Sequence, residues 1–371
     1  MKGQKMIHLC ISTIRQRLPH NRDRWRIALV AIIALLSLGG TPSTLLAQDR
    51  RETNQHPIRF GVQAAPQQIS WAELKEVWQE VEALGFDTLW VNDHLLPSIG
   101  PVEAANLEGW TMLGAMAALT SRVRIGALVT GNTFRHPSVL AKMATTVDHI
   151  SNGRLILGIG SAYFAQEHQV YGIPFYTTRR RAEQLDEAVQ VIRKLWTEDE
   201  VSFNGTYYQL VNAPFAPKPL QKPHPPLMIG GTGEKLTLPI VAKYADMWNV
   251  GGLAPPAMAE KIAVLEEQCR RVKRDCKEIE KSYLTPLYLR TDPADVQAFL
   301  DQLPRSQAVS AEQLRASILA GDVATVQRQI QAYLDVGVTH FIIVLRRPGF
   351  YDREGLRLFA KEVMPHFRKS P

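Results

Sequence analysis

Cysteine is nearly absent from this chain of 371 residues, which has three, Cys10, Cys269 and Cys276. None belongs to a C-x-x-C pair, and no H-x-H, H-E-x-x-H or similar metal-ligand spacing occurs, so a metal hydrolase is disfavoured. Cys269 and Cys276 fall on a segment that reads as one helix, roughly 10 Å apart along its axis, and no structural disulfide is expected. Long apolar runs are also scarce, and the longest, Ile27 to Leu38, is short for a membrane span. Excess charge is absent from most of the chain as well. Residues 1–47 hold seven Lys and Arg against one acid, Asp23, which leaves 36 basic and 35 acidic residues in the remainder. The high overall basicity therefore gives no reason to expect nucleic acid or an anionic membrane as partner.

Residues 1–47 have the order of an export signal. Lys2, Lys5, Arg15, Arg17, Arg22, Arg24 and Arg26 precede the apolar run, and Gly39, Gly40, Pro42 and Ala47 follow it. Cleavage is expected near Ala47, which places the protein in the periplasm or outside the cell. Leu45 is less usual than Ala at its position, so an uncleaved N-terminal anchor, the one expected membrane contact, stays open. So does a mis-assigned start with a cytoplasmic product, although no Met lies between Met6 and Met112.

From Ile58 on, strand-like and helix-like segments alternate. Ile58–Gln63 reads as a strand, and the helical spacing of Trp71, Leu74, Val77, Trp78, Val81 and Leu84 stops at Gly85. The strand of Phe86–His94 follows, then a helix over 110–119, a strand over 123–130 and a helix from Pro137 to Ile150. A fourth pair covers 155–160 and 178–196. Asn204-Gly205 between two aromatic, β-branched halves marks a hairpin, and a Pro-rich stretch leads to the strand 227–231. Later pairs follow at 235–250, 256–290 and 323–345, with a polar, helical insertion over 294–319 and a closing helix. Eight pairs argue for one α/β domain over 57–371, a (β/α)8 TIM barrel with insertions after helix 4 and before helix 7. A doubly wound open sheet needs no eighth pair and usually carries a Gly-rich first turn; here that turn reads Val62-Gln-Ala-Ala-Pro66.

A barrel places chemistry at the C-terminal tips of its strands. His94, on the tip Asn92-Asp93-His94, has the position and the side-chain chemistry of an acid/base residue; its bland alternative is a helix cap. Gly230-Gly231-Thr232-Gly233 before a helix suits a phosphate, or is a tight turn that needs glycine. Leu128-Val129-Thr130-Gly131-Asn132 is either a bulge able to press on a flat ring or an ordinary turn. Glu167 and His168 are acid/base partners or polar loop residues. Arg346-Arg347 is an anion clamp or a solvated pair, Arg179-Arg180-Arg181 a solvated helix face, and His136 a helix starter.

These motifs, together with Thr146–Arg154 and Ala245-Asp246, resemble bacterial luciferase-like monooxygenases, and within them the deazaflavin-dependent oxidoreductase group. The resemblance runs in order from about Ile58 to the C-terminal helix. It implies a barrel that binds FMN or the deazaflavin coenzyme F-420 and acts on a small organic molecule, by oxygen insertion from reduced FMN or by hydride transfer with F-420. It further implies that His94, on its Asp93-His94 tip, is catalytic, and that Leu128-Val129 is a non-prolyl cis peptide behind the ring. Thr130, Asn132, Gly160 and Ser161 then neighbour the ring or ribityl chain, and Gly230 to Glu234 cradle phosphate. Tyr163 stands in Ser161-Ala162-Tyr163-Phe164, where relatives often place Trp, and offers an aromatic wall with an added hydroxyl. A homodimer is implied because relatives commonly pair. The rival from another class is an exported, non-catalytic barrel that binds cofactor or ligand without turnover.

Overall fold

The computed structural model describes residues 56–303, 310–344, 346–347 and 350–368. Residues 1–47, where an export signal is expected, lie outside them. Eight parallel strands form the barrel: β1 Arg59–Gln63, β2 Thr88–Val91, β3 Arg124–Ala127, β4 Leu155–Gly160, β5 Leu227–Gly230, β6 Met247–Gly251, β7 Glu280–Leu289 and β8 His340–Val344. Each pairs with the next, and β8 closes on β1 through Arg59↔His340 to Gln63↔Val344. The expected (β/α)8 barrel is therefore the observed one.

The helices between the strands are α1 Trp71–Ala83, α2 Gly109–Leu119, α3 Pro137–Ile150, α4 Thr178–Thr197, α5 Thr237–Tyr244, α6 Pro255–Arg271 and α7 Val323–Asp335. An eighth, α8, runs over Arg353–Leu358 and continues helically to Arg368. Local chemistry sets their limits. Ser70 and Glu73 form a capping box at the start of α1, whose buried stripe is Leu74, Val77, Trp78 and Val81. His136 caps α3 as expected, its ring accepting from the Ser138 amide, with Pro137 in the first turn.

Both insertions appear. Glu200–Asn204 pairs with Gln209–Pro214 as the hairpin after α4. The stretch before α7 holds helices Pro293–Asp301 and Ala311–Ala316, but its end is not helical: Leu319–Gly321 is a short strand paired with Leu287–Leu289 of β7.

One expectation is corrected. Cys269 and Cys276 are joined as a disulfide, with Cα atoms 5.5 Å apart. The helical reading placed both on one axis, whereas α6 ends at Arg271, Lys273 takes a left-handed φ of 57°, and the chain doubles back into a single 3-10 turn at Cys276–Glu278. A distance impossible along one helix becomes ordinary across a reversal.

Most of the core lies between strands and helices. A second cluster of Trp90, Leu128, Ile156, Met228, Met247 and Ile342 fills the barrel's interior. At the N-terminal end, Glu280 Oε1 and His340 Nδ1 lie 2.9 Å apart, Glu280 also meets Arg59, and His340 Nε2 lies 2.8 Å from the Thr88 hydroxyl. Burial raises the Glu280 carboxyl, but His340 and Arg59 overcome that and hold it at about 2. Packed core below and a polar lock at one end leave the C-terminal mouth free for a ligand.

Candidate active site

A cavity of about 630 Å³ opens at the C-terminal ends of the strands, within the usual ~300–1,000 Å³ of small-molecule sites. The tip of β2 puts His94 on its wall. The short helix Ala165–Val170 after β4 brings Glu167 to it: His94 Nδ1 is 3.0 Å from Glu167 Oε1, and Glu167 Oε2 accepts from the Leu95 amide at 2.9 Å. Glu167 is buried, so its charge acts where water screens little. His94 Nε2 is left for the cavity, with the Tyr163 hydroxyl at 3.4 Å and the Tyr163 ring edge-on. Although Tyr163 is 72% exposed, the local desolvation of its phenol, reinforced by Glu167, pushes it up, so it stays protonated at neutral pH. The pair left open in sequence is thereby resolved. Glu167 partners His94, while His168 turns away to the Thr133 hydroxyl at 2.6 Å and the Phe164 carbonyl at 2.8 Å.

Asp93 is buried beside it and occupied. Both its oxygens take hydrogen bonds from Arg135, at 2.6 and 3.1 Å, and Arg135 also reaches Glu108 at 3.4 Å. Burial pushes the Asp93 carboxyl up and Arg135 pulls against it. This bidentate lock orients the tip that carries His94. Arg135 escaped the sequence reading because nothing local says that its partner is 42 residues away.

The bulge is present, and the peptide Leu128–Val129 is cis. Gly126 pairs with Ile156 and Thr130 with Ile159, so β3 carries one residue more than β4 across this stretch. Gln63 donates to the Leu128 carbonyl at 3.0 Å and Trp110 to the Thr130 hydroxyl at 2.9 Å. Val129 lies over bare backbone. A Cβ on Gly160 would come 2.9 Å from the Val129 Cγ2 methyl, and one on Gly230 would come 3.0 Å from the same methyl.

The turn after β5 bends at Gly231, with φ 130°, and the Gly233 carbonyl accepts from the amides of Leu236, Thr237 and Leu238 at 3.3, 2.8 and 2.9 Å. Thr232, Gly233 and Glu234 are exposed there. Of the residues expected in the site, Asp93, His94, Leu128, Val129, Thr130, Gly160, Ser161, Tyr163, Gly230, Gly231 and Thr232 line the cavity. Asn132, Gly233 and Glu234 do not: Asn132 is buried against Tyr208, Gly233 packs on Thr237, and Glu234 pairs with Lys261. Asn92, at the tip of β2, and Asn249, near the end of β6, line it too.

The residues fit a flat cofactor with a phosphate tail. A bulge faces glycines that leave no side chain in the way, and the exposed turn at 231–234 precedes a helix N-terminus. Asn92 Oδ1, buried on the cavity wall with no hydrogen-bond partner among the described residues, is an acceptor waiting for a ligand's donor.

Residues 55–306 match the family of luciferase-like monooxygenases. The chain belongs to that family. An F-420-dependent glucose-6-phosphate dehydrogenase of Amycolatopsis mediterranei is 30% identical over 347 residues, covering 84% of this chain and 99% of the relative. Among solved structures, the coenzyme F-420-dependent tetrahydromethanopterin reductase of Methanopyrus kandleri superposes with a TM-score of 0.72 at 21% identity, over 84% of this chain and all of that one. A monooxygenase of Streptomyces bottropensis gives 0.68 at 20%, with the same coverage. Like its family, the chain is a flavin- or deazaflavin-dependent oxidoreductase with FMN or F-420 as cofactor, and the non-catalytic barrel is not favoured.

Proposed function

We propose that this protein exchanges hydride between F-420 and the oxidisable carbon of an alcohol, or of the matching carbonyl compound, with His94 moving the proton. The observation that carries the reading is the pair His94–Glu167 at the cavity wall. With its Nδ1 hydrogen directed at Glu167, the ring keeps a lone pair on Nε2, which can take an alcohol proton or return it. When bound, F-420 supplies a two-electron hydride acceptor or donor. Glu167 stabilises the imidazolium that results, Asp93 and Arg135 fix the tip, and Tyr163 walls the mouth. Relatives named as F-420-dependent dehydrogenases, matched over almost their full length, support hydride transfer over oxygen insertion. The test is a fluorescence and absorbance titration of protein expressed from Gln48, with F-420 and separately with FMN, each oxidised and reduced. Selective F-420 binding is expected; tight binding of reduced FMN alone would turn the reading to oxygen insertion.

We infer also that the enzyme works outside the cytoplasm, with residues 1–47 as a cleaved signal or an anchor. The basic-then-apolar order supports this, as does the disulfide Cys269–Cys276, a bond that persists chiefly in oxidising compartments. Fractionation of cells expressing the full chain, with N-terminal sequencing of the product, decides it.

A further inference from the structure

Asn92 is the first residue past β2, is only 6% exposed, and lines the cavity two positions before His94. The polar groups beside it are occupied. Both Asp93 oxygens accept from Arg135, His94 Nδ1 meets Glu167, and the His94 carbonyl accepts from Asn106 Nδ2 at 2.6 Å. Asn92 Oδ1 has no partner among the described residues, and of the buried side-chain atoms in that condition it alone belongs to a residue of the cavity wall. The backbone there is tightly packed, since a Cβ on Gly109, the first residue of α2, would collide with the Asn92 carbonyl. A buried acceptor without a donor costs stability in the free protein and favours a ligand that brings one.

The tip of β2 adjoins the bulge. The Leu128 amide donates to the Val91 carbonyl at 2.8 Å, and Leu128, Val129, Gly160 and Gly230 share the cavity wall with Asn92. A flat ring resting on that bulge presents an edge to the neighbouring tip. FMN and F-420 carry the same pyrimidinedione edge, an N–H between two carbonyls, and it holds the one N–H of the oxidised ring in either. A carboxamide sets an acceptor and a donor side by side, the complement of such an edge, as amide side chains do against the edges of nucleobases.

We infer that Asn92 holds the imide edge of the bound ring, with Oδ1 accepting from the ring N3–H and Nδ2 donating to a flanking ring carbonyl. The inference rests on the cofactor being FMN or F-420 and not on the choice of hydride transfer. The contact fixes which end of the ring enters beside β2. It adds affinity without telling the two cofactors apart.

The test is a fluorescence and absorbance titration of the full-length protein with F-420, with FMN, and with the N3-methyl derivative of each, which lacks the N–H. The wild type is expected to bind the methylated ring roughly tenfold or more weakly than its parent. Asn92→Leu removes both polar atoms with little change in shape. The variant should keep the far-UV circular dichroism spectrum and, without cofactor, melt no lower than the wild type. It should bind the parent cofactor roughly tenfold or more weakly, and should bind parent and methylated rings within about threefold of each other. If it does not fold, Asn92→Ala, which adds no bulk, is read in the same way. Equal affinity of the wild type for both rings, or a variant that keeps the wild-type ratio, overturns the inference. Binding of FMN in place of F-420 overturns the hydride reading and leaves this contact standing, whereas binding of neither overturns the cofactor assignment and the contact with it.

Discussion

His94 Nδ1 lies 3.0 Å from Glu167 Oε1 across the mouth of the barrel, a contact between residues 73 apart in the chain. It fixes which ring nitrogen faces the cavity, and hence which one can handle a substrate proton. Replacing His94 by Ala should lower kcat by about 10²-fold or more while F-420 affinity stays within a few-fold, because the ring moves a proton and does not carry the cofactor. Parallel steady-state assays and fluorescence titration check this, and unchanged kcat removes His94 from the chemistry.

Glu167 acts through His94, so its loss should look different from a loss of binding. Glu167→Ala is expected to lower kcat by roughly tenfold or more with little change in KM, and Glu167→Gln to recover part of it by keeping an acceptor for Nδ1. A rise in KM with kcat intact would mean that Glu167 holds substrate instead.

The barrel was legible because its signals are local. Apolar strand runs, helical spacing and stop residues such as Gly85 each sit within a dozen positions, and eight repeats of them leave few folds to choose from. The tip residues were legible for the same reason once a barrel was assumed. What escaped was decided by distant contacts: that Glu167 and not His168 meets His94, and that Arg135 is Asp93's partner. The bulge at Leu128–Val129 was no better than an ordinary turn on local grounds, and only the family resemblance raised it. The disulfide was missed by carrying one helix through to Cys276: continuing α6 past Arg271 takes Cys276 away from Cys269, while the reversal at Lys273 brings it back.

Val129 and Gly160 set a steric limit on the cofactor wall. A Cβ on Gly160 would lie 2.9 Å from the Val129 Cγ2 methyl, so Gly160→Ala must push that side chain toward the cavity or shift β4. Cofactor affinity should fall by about tenfold, or ~1.4 kcal/mol, with the far-UV circular dichroism spectrum unchanged. Unaltered affinity for both FMN and F-420 would show that the ring does not rest there.

At the opposite end of the barrel, Glu280 predicts how the protein fails in acid. Its carboxyl is held at about 2 in the folded state against an ordinary 4.5, so the folded form binds the proton less readily than the unfolded form. The sign follows from linkage: the stabilisation is fully present above pH 4.5 and is lost progressively as pH falls toward 2. A depression of that size corresponds to about 3 kcal/mol, an upper bound because His340 and Arg59 share the charge. Glu280→Gln should therefore be less stable than the wild type at pH 7, with the difference shrinking between pH 4.5 and 2. Urea unfolding midpoints across that range measure it, and a constant gap between the two proteins at every pH would place the acid sensitivity on other carboxylates.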